Sequence, residues 1–169
     1  MTSFNLRNVK LRTGEQFETE LDVELEPLLL GGQEYLPVPP AVPARLTVTK
    51  AATGSVYELA FRAQLHGPCV RCLADAALDL SIRGREYHAA KAGDEELRSP
   101  YVVGDEVLEL SAWARDALAL ALPDKILCRA DCAGLCPECG RDLNDEPHVH
   151  EEPAADSRWS ALEALRADE

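Results

Sequence analysis

Ser55-Val-Tyr-Glu-Leu-Ala-Phe-Arg-Ala-Gln-Leu65-His-Gly-Pro-Cys69-Val-Arg-Cys72 is the stretch on which the fold turns. Tyr57, Leu59, Phe61, Ala63 and Leu65 alternate with Glu58, Ala60, Arg62 and Gln64, the period of a strand with one buried face. That strand runs into two cysteines in C-x2-C spacing behind a Gly-Pro turn. Upstream, Ala44 to Lys50 alternates as well, and Ala51-Ala-Thr-Gly54 joins the two segments as a hairpin. Downstream, Ala76, Leu78, Leu80 and Ile82 alternate with Ala77, Asp79, Ser81 and Arg83, so the sheet resumes after the cysteines. The first cysteine pair is therefore expected at a turn between strands.

Further out, residues 17 to 26 alternate strictly. Phe17, Leu21, Val23 and Leu25 fall on one side, and Glu18, Glu20, Asp22, Glu24 and Glu26 on the other. This predicts a half-buried strand whose outer face carries five carboxylates. Residues 27 to 43 contain prolines 27, 37, 39, 40 and 43 together with Gly31-Gly32, and read as a long connection with at most a short edge segment. Residues 89 to 100 are polar and turn-rich and predict a mobile loop. Ser111 is placed to cap a helix with Leu110, Trp113, Ala114, Ala117, Leu118 and Ala121 at helical spacing and Pro123 beyond its end. Asp142 to Glu152 is acidic and reads as extended, and a short helix is expected from Asp156, with Trp159, Leu162 and Leu165 on one side. The expected class is α+β: an antiparallel sheet or partial barrel over residues 1–125 covered by one helix, then a small Cys/His-rich lobe and terminal helix over 126–169 that pack back on the core.

Four of the six cysteines lie between Cys128 and Cys139, in Cys128-Arg-Ala-Asp-Cys132-Ala-Gly-Leu-Cys136-Pro-Glu-Cys139-Gly. Cys136 and Cys139 have the spacing of a zinc knuckle, with Pro137 setting the turn and Gly140 letting amides point at the sulfurs. His148 and His150 follow, and imidazole is the other common zinc ligand. Eight candidate ligands suffice for two closed four-ligand sites. The pairing expected is Cys69, Cys72, Cys128 and Cys132 in one, and Cys136, Cys139, His148 and His150 in the other. The alternative is a single zinc in the C-terminal lobe with Cys69 and Cys72 left as buried small hydrophobes. His66 and His88 sit at strand ends without a matched partner and read as structural.

The chain has 17 Lys and Arg against 30 Asp and Glu, a net charge of −13. That balance disfavours a surface that tracks phosphates and favours a basic partner. The N-terminal residues hold no apolar signal core and no run approaches a membrane span, so a cytoplasmic protein is expected, and in a reducing compartment clustered cysteines point to metal rather than disulfides. No Ser-His-Asp set, phosphate-cradling glycine loop or metal site with an open position beside a carboxylate base can be assembled, so no catalytic residues and no small-molecule substrate are expected. A thiol oxidoreductase would need its C-x-x-C at a helix N-terminus. A zinc-ribbon RNA binder would need basic and aromatic residues around the knuckle, where Arg129 and Arg141 stand instead among Asp131, Glu138, Asp142, Asp145 and Glu146.

With these residues collected, the sequence resembles the YceD family, bacterial proteins named for large ribosomal RNA subunit accumulation. The resemblance rests on Cys69-x-Arg-Cys-Leu73, the Leu-Ala-Leu-Pro123 helix end, the Cys128 to Leu143 pattern Cys-x3-Cys-x3-Cys-Pro-x-Cys-Gly-x-x-Leu, and Asp-x-Arg-Trp-x-Ala-Leu from Asp156 to Leu162. Similar members often carry Cys-x-Cys where His148-Val-His150 stands, which keeps ligand chemistry, while other relatives lack the later cysteines. The resemblance implies a non-enzymatic role in large-subunit formation. The implied partner is a basic ribosomal protein or a large-subunit precursor particle, with direct rRNA contact secondary. The Glu18 to Glu26 face lies before the residues that carry the resemblance, and its charge pattern alone reads either as a docking strip for such a basic client or as a solvated solubility face.

Overall fold

The computed structural model describes residues 1–91, 95–104 and 106–150, the Glu95 side chain excepted. Strands run in the order β1 (Ser3–Asn5), β2 (Gln16–Glu24), β3 (Leu28–Leu30), β4 (Gln33–Pro37), β5 (Ala41–Lys50), β6 (Gly54–Pro68), β7 (Asp75–Ala89), β8 (Val102–Val103) and β9 (Val107–Glu109), followed by helix α1 (Leu110–Leu120). The architecture is a mainly antiparallel β structure with one helix, the α+β class. The described residues fall into two compact units, divided between Cys132 and Ala133.

In the first unit β6 is the axis of the larger sheet. β7 pairs with it along its whole length, from Gly54↔Ala89 to Pro68↔Asp75. On its other side β5 pairs with the first half, Ala44↔Phe61 to Lys50↔Ser55, and β4 with the far end, Leu36↔His66 and Pro37↔Leu65. β2 lies outside β5, Gln16↔Thr49 to Glu24↔Ala41. Because side chains alternate across a strand, this register puts Val23, Leu46, Tyr57, Leu59, Leu65 and Ile82 in one core. Each large apolar side chain so buried contributes about 1.5–3 kcal/mol.

Helix α1 packs on β7 and β2 through Leu110, Trp113, Ala114 and Leu118, all buried. Trp113 is seated directly on β7: a Cβ added at Gly84 would lie 2.8 Å from its Nε1. The helix start differs from expectation. Glu109 occupies the N-cap position without a side-chain bond, and Ser111 lies inside the first turn. The first amides are met instead by the main chain of a distant segment, Leu110 N and Ser111 N donating to Thr2 O at 3.0 and 3.1 Å, while Ser111 Oγ accepts from Thr2 N at 2.7 Å. A backbone partner more than a hundred residues away leaves no cap in the local sequence.

Two further departures concern strands. Residues 27 to 43 are not a bare connection, because Gly31 and Gly32, at φ 57° and 82°, close a tight turn between β3 and β4. Pro43 is tolerated within β5 because it falls where β5 pairs with β2 only. Strands β1, β9 and β8 form a separate small sheet. Within residues 89 to 100, Glu95–Leu97 form a 3-10 turn and 92–94 lie outside the described residues. The helix expected from Asp156 also lies outside them. His88 is not partnerless: it is buried, with Nε2 3.3 Å from Arg98 Nη2. Among the described residues no helix is long and apolar enough to cross a membrane.

Candidate metal centres

The β6–β7 turn presents the first cysteine pair. Cys69 N donates to Ala74 O at 2.7 Å and Leu73 N to Cys69 O at 3.0 Å, with Leu73 in the left-handed region at φ 63°. That conformation costs a non-glycine residue about 1 kcal/mol or more, and here it closes the loop so that both sulfurs face the same way. The segment after α1 is tied to this turn by two bonds. Val70 N donates to Ile126 O at 3.0 Å, and the Arg71 guanidinium donates to Cys132 O at 2.6 Å. Cys128 and Cys132 are thereby brought over Cys69 and Cys72.

The resulting sulfur distances are 3.8 Å for Cys69–Cys132 and 3.6 Å for Cys72–Cys128. A disulfide needs about 2.05 Å, and all six cysteines are free thiols. Four sulfurs about 2.3 Å from a tetrahedrally bound zinc lie about 3.8 Å from one another. Cys69 and Cys132 are fully buried and Cys72 nearly so. Burial pushes the Cys69 thiol up, but the amides of Cys72, Arg71 and Cys128 aimed at its sulfur bring it down to about 6. Cys128 is pushed up to about 12, first by its hydrogen bond with Cys72 and then by burial. Four thiols this close cannot all ionise without a cation among them, so the set suits a metal and is frustrated without one.

The second cluster is local to the second unit. Leu135 and Asp142 form an antiparallel bridge, Cys136 N donates to Arg141 O at 2.8 Å, and Gly140 N donates to Cys136 O at 2.9 Å, with Gly140 at φ 72°. Asn144 braces the knuckle by accepting from Ala133 N through Oδ1 at 2.8 Å. His148 Nε2 lies 3.1 Å from Cys139 Sγ, while its Nδ1 donates to Glu146 O at 2.7 Å, which leaves Nε2 as the nitrogen that could ligate a metal. His150 Nδ1 stands 3.4 Å from the Glu138 carboxylate, leaving its Nε2 for the cluster. The amide of Cys139 foremost brings the Cys136 thiol down to about 6. The carbonyl of Glu146 foremost raises His148.

All eight residues thus fall into the two groups of four, with the potential ligand atoms of each group within 4.8 Å of one another. Each group could hold a metal ion. The groups differ in exposure: in the first, Cys69, Cys72 and Cys132 are buried, whereas in the second only Cys136 is. Sequence reasoning missed the orienting partners, Arg71, Glu138 and the Glu146 carbonyl, because none is adjacent to its ligand in a recognised spacing.

The acidic face is present, with Glu18, Glu20, Asp22, Glu24 and Glu26 all exposed. It is less bare than the alternation implies. The Arg45 guanidinium lies 3.4 Å from Glu18 and 3.5 Å from Glu20, and Glu24 pairs with the Met1 amino group. Among the described residues, Asp22 and Glu26 form no ion pair.

The sequence model of the family described as Large ribosomal RNA subunit accumulation protein YceD matches residues 57–166. Uncharacterized proteins of Mycobacterium bovis and Mycobacterium tuberculosis are 36% identical over 122 residues, covering 69% of this chain and 58% of theirs. An uncharacterized protein of Mycobacterium leprae is 35% identical over 105 residues, 59% of this chain and 47% of its own. The chain therefore spans about half the length of the curated relatives it matches. No solved structure is significantly similar to it. The family match begins in β6 and takes in both cysteine clusters.

Proposed function

The chain belongs to the YceD family of large ribosomal RNA subunit accumulation proteins, and from that premise we propose that it is a non-enzymatic, cytoplasmic, zinc-dependent binding factor for large-subunit assembly. The observation that carries the reading is the first cluster. Four cysteines, three of them buried, sit at the sulfur spacing of a tetrahedral metal and join the β6–β7 turn to the segment after α1. Soft thiolates in a closed four-ligand set favour zinc, and a closed set has a structural role because no position is left for substrate or water. Zinc would be held by Cys69, Cys72, Cys128 and Cys132, and a second ion by Cys136, Cys139, His148 and His150. Its contribution would be to fold and stiffen the matched region.

The binding surface in this reading is the acidic face of β2 from Glu18 to Glu24 together with Glu26 just beyond its end. Its client is a basic ribosomal protein or a precursor particle bearing one, steered by charge complementarity. The test is affinity capture of the tagged protein from cells, scored for large-subunit proteins and rRNA with and without nuclease. Retention of a basic ribosomal protein after nuclease supports the reading. Absence of any large-subunit component in both arms overturns it.

A further inference from the structure

The outer face of the sheet carries a second charged feature beside the acidic one. Register lines up Arg45 on β5, Ala60 on β6 and Arg83 on β7 directly across the strands, and pairs Arg62, two residues along β6, with Ser81. Arg45 and Arg83 are therefore two strand spacings apart, about 10 Å, with the methyl of Ala60 between them. The small side chain leaves an open recess of about 430 Å³, lined by Glu20, Arg45, Ala60, Arg62, Ser81 and Arg83 among others. Arg45 is engaged by Glu18 and Glu20. Among the described residues, neither Arg62 nor Arg83 has a carboxylate partner, though the chain carries thirteen more negative than positive charges. Two unneutralised guanidiniums at the walls of one recess are unexpected in such a protein unless something anionic completes them.

The geometry points to a phosphate-binding recess for an RNA strand, with Arg62 and Arg83 as donors and Arg45 as a third whose guanidinium is shared with Glu18 and Glu20. A guanidinium offers a planar fork of N–H groups that matches two phosphate oxygens, and it stays charged at any physiological pH. The Ser81 hydroxyl at the same wall adds a neutral donor. The acidic face does not cancel the site. Glu20, the one carboxylate of that face that lines the recess, is already engaged with Arg45, and the β2 backbone that carries the face lies two and three strand spacings from β6 and β7, about 10 and 14 Å, beyond the Debye length of about 8 Å at physiological salt. The choice of RNA over another phosphate source rests on the family reading above. It makes the sheet face bipolar, with a carboxylate edge for a basic protein and an arginine recess for the nucleic acid that such proteins bind.

The test uses the zinc-loaded full chain and a fluorescein-labelled single-stranded RNA copied from large-subunit rRNA, with anisotropy titrations across a salt series. Arg62→Gln/Arg83→Gln is expected to weaken binding at least tenfold and to lower the salt slope by about one to two, since each lost phosphate contact removes roughly one. Lys10→Gln/Arg12→Gln, the same change in net charge at exposed residues outside the recess, is expected to change affinity less than threefold. Glu20→Gln, which frees the Arg45 Nη2 from its carboxylate and removes a negative charge from the recess while Glu18 still holds Nε, is expected to tighten binding. Zinc content and circular dichroism establish that each variant is folded. Absence of RNA binding by the wild type, equal losses in the two double variants, or displacement of RNA by poly-glutamate as effectively as by unlabelled RNA overturns the proposal. Nuclease-resistant capture of a ribosomal protein that survives any of these outcomes leaves the protein-binding reading standing, so the two fail separately.

Discussion

Tyr35 packs directly against Gly67: a Cβ added at residue 67 would sit 2.3 Å from the Tyr35 ring, and the ring's hydroxyl donates to Pro68 O at 2.9 Å. The contact holds the end of β6 one residue before Cys69, so packing and ligand placement are joined at this point. Gly67→Ala forces the ring or the strand to move and is expected to cost about 1–3 kcal/mol in urea unfolding of the zinc-loaded protein. Tyr35→Phe keeps the ring and loses only the hydrogen bond, about 1 kcal/mol. In a Tyr35→Leu background the Gly67→Ala cost is expected to shrink, and undiminished cost in the double-mutant cycle would show that the clash is relieved elsewhere.

Metal content should divide between the clusters. Native mass spectrometry of the intact chain is expected to show two zinc ions, with Cys72→Ser losing one and Cys139→Ser losing the other. Their release should also differ, because three of four ligands are buried in the first cluster and one in the second. A chelator is expected to strip the Cys136 to His150 site first, in a separate fast phase. A single-phase loss, or one zinc unaffected by Cys72→Ser, would refute the two-site pairing.

The acidic face gives a charge-specific expectation. Of the five carboxylates on this face, Asp22 and Glu26 are the two in no ion pair among the described residues, so Asp22→Asn/Glu26→Gln is expected to slow association with the captured ribosomal protein several-fold at low salt. At high salt the effect should nearly vanish, because the Debye length shrinks from about 30 Å at 0.01 M to about 3 Å at 1 M. Glu18→Gln/Glu20→Gln should slow association less, because Arg45 already neutralises part of that pair. Equal association rates for all three proteins at low salt would mean that this face is merely solvated.

Alkaline pH provides a probe of the helix–strand packing. Tyr101 stacks on Trp113 at 6.1 Å between ring centroids and donates to Asp116 Oδ2 at 3.0 Å; burial first, then that bond, push its hydroxyl up to about 12. The raised value means that folding favours the protonated phenol. Its stabilisation is complete below the unfolded value near 10 and is lost as pH rises from about 10 to about 12. The urea midpoint of the zinc-loaded wild type should exceed that of Tyr101→Phe at pH 8, and the gap should close across that window. A gap independent of pH would assign the difference to packing alone.

Much of the larger sheet was legible because alternation is a local signal: β2, β5, β6 and the first half of β7 follow from which residues share a face. The helix was legible from the spacing of Leu110, Trp113, Ala114 and Leu118, but its start was not, since Thr2 supplies the main-chain partners from the other end of the unit. Strands of two or three residues, such as β1, β8 and β9, are too short to show a period. The β3–β4 hairpin was hidden by prolines that fall at its margins rather than in its ladder. At the clusters, cysteine spacing indicated which sulfurs belong near one another, while Arg71 and Glu138 act on Cys132 and His150, 61 and 12 positions away, through contacts that only the folded chain makes. The arginine recess needed register above all, because residues 45, 60 and 83 become neighbours only once three strands are aligned.

Cys72 and Cys128 are 56 positions apart in the chain, and Cys69 and Cys132 are 63 apart. A ribosome adding 5–20 residues per second takes roughly 3–11 s to pass from the first half of this set to the second. Throughout that interval β6 and β7 can pair, but their turn carries two thiols with no counterpart yet made. The knuckle from Cys136 to His150, by contrast, is complete within 150 − 136 = 14 positions of its own first residue. Synthesis interrupted before Cys128 therefore yields a finished hairpin that is incapable of holding metal between its cysteines and the later pair. Occupancy of the first cluster becomes a certificate that the first unit was made to its end.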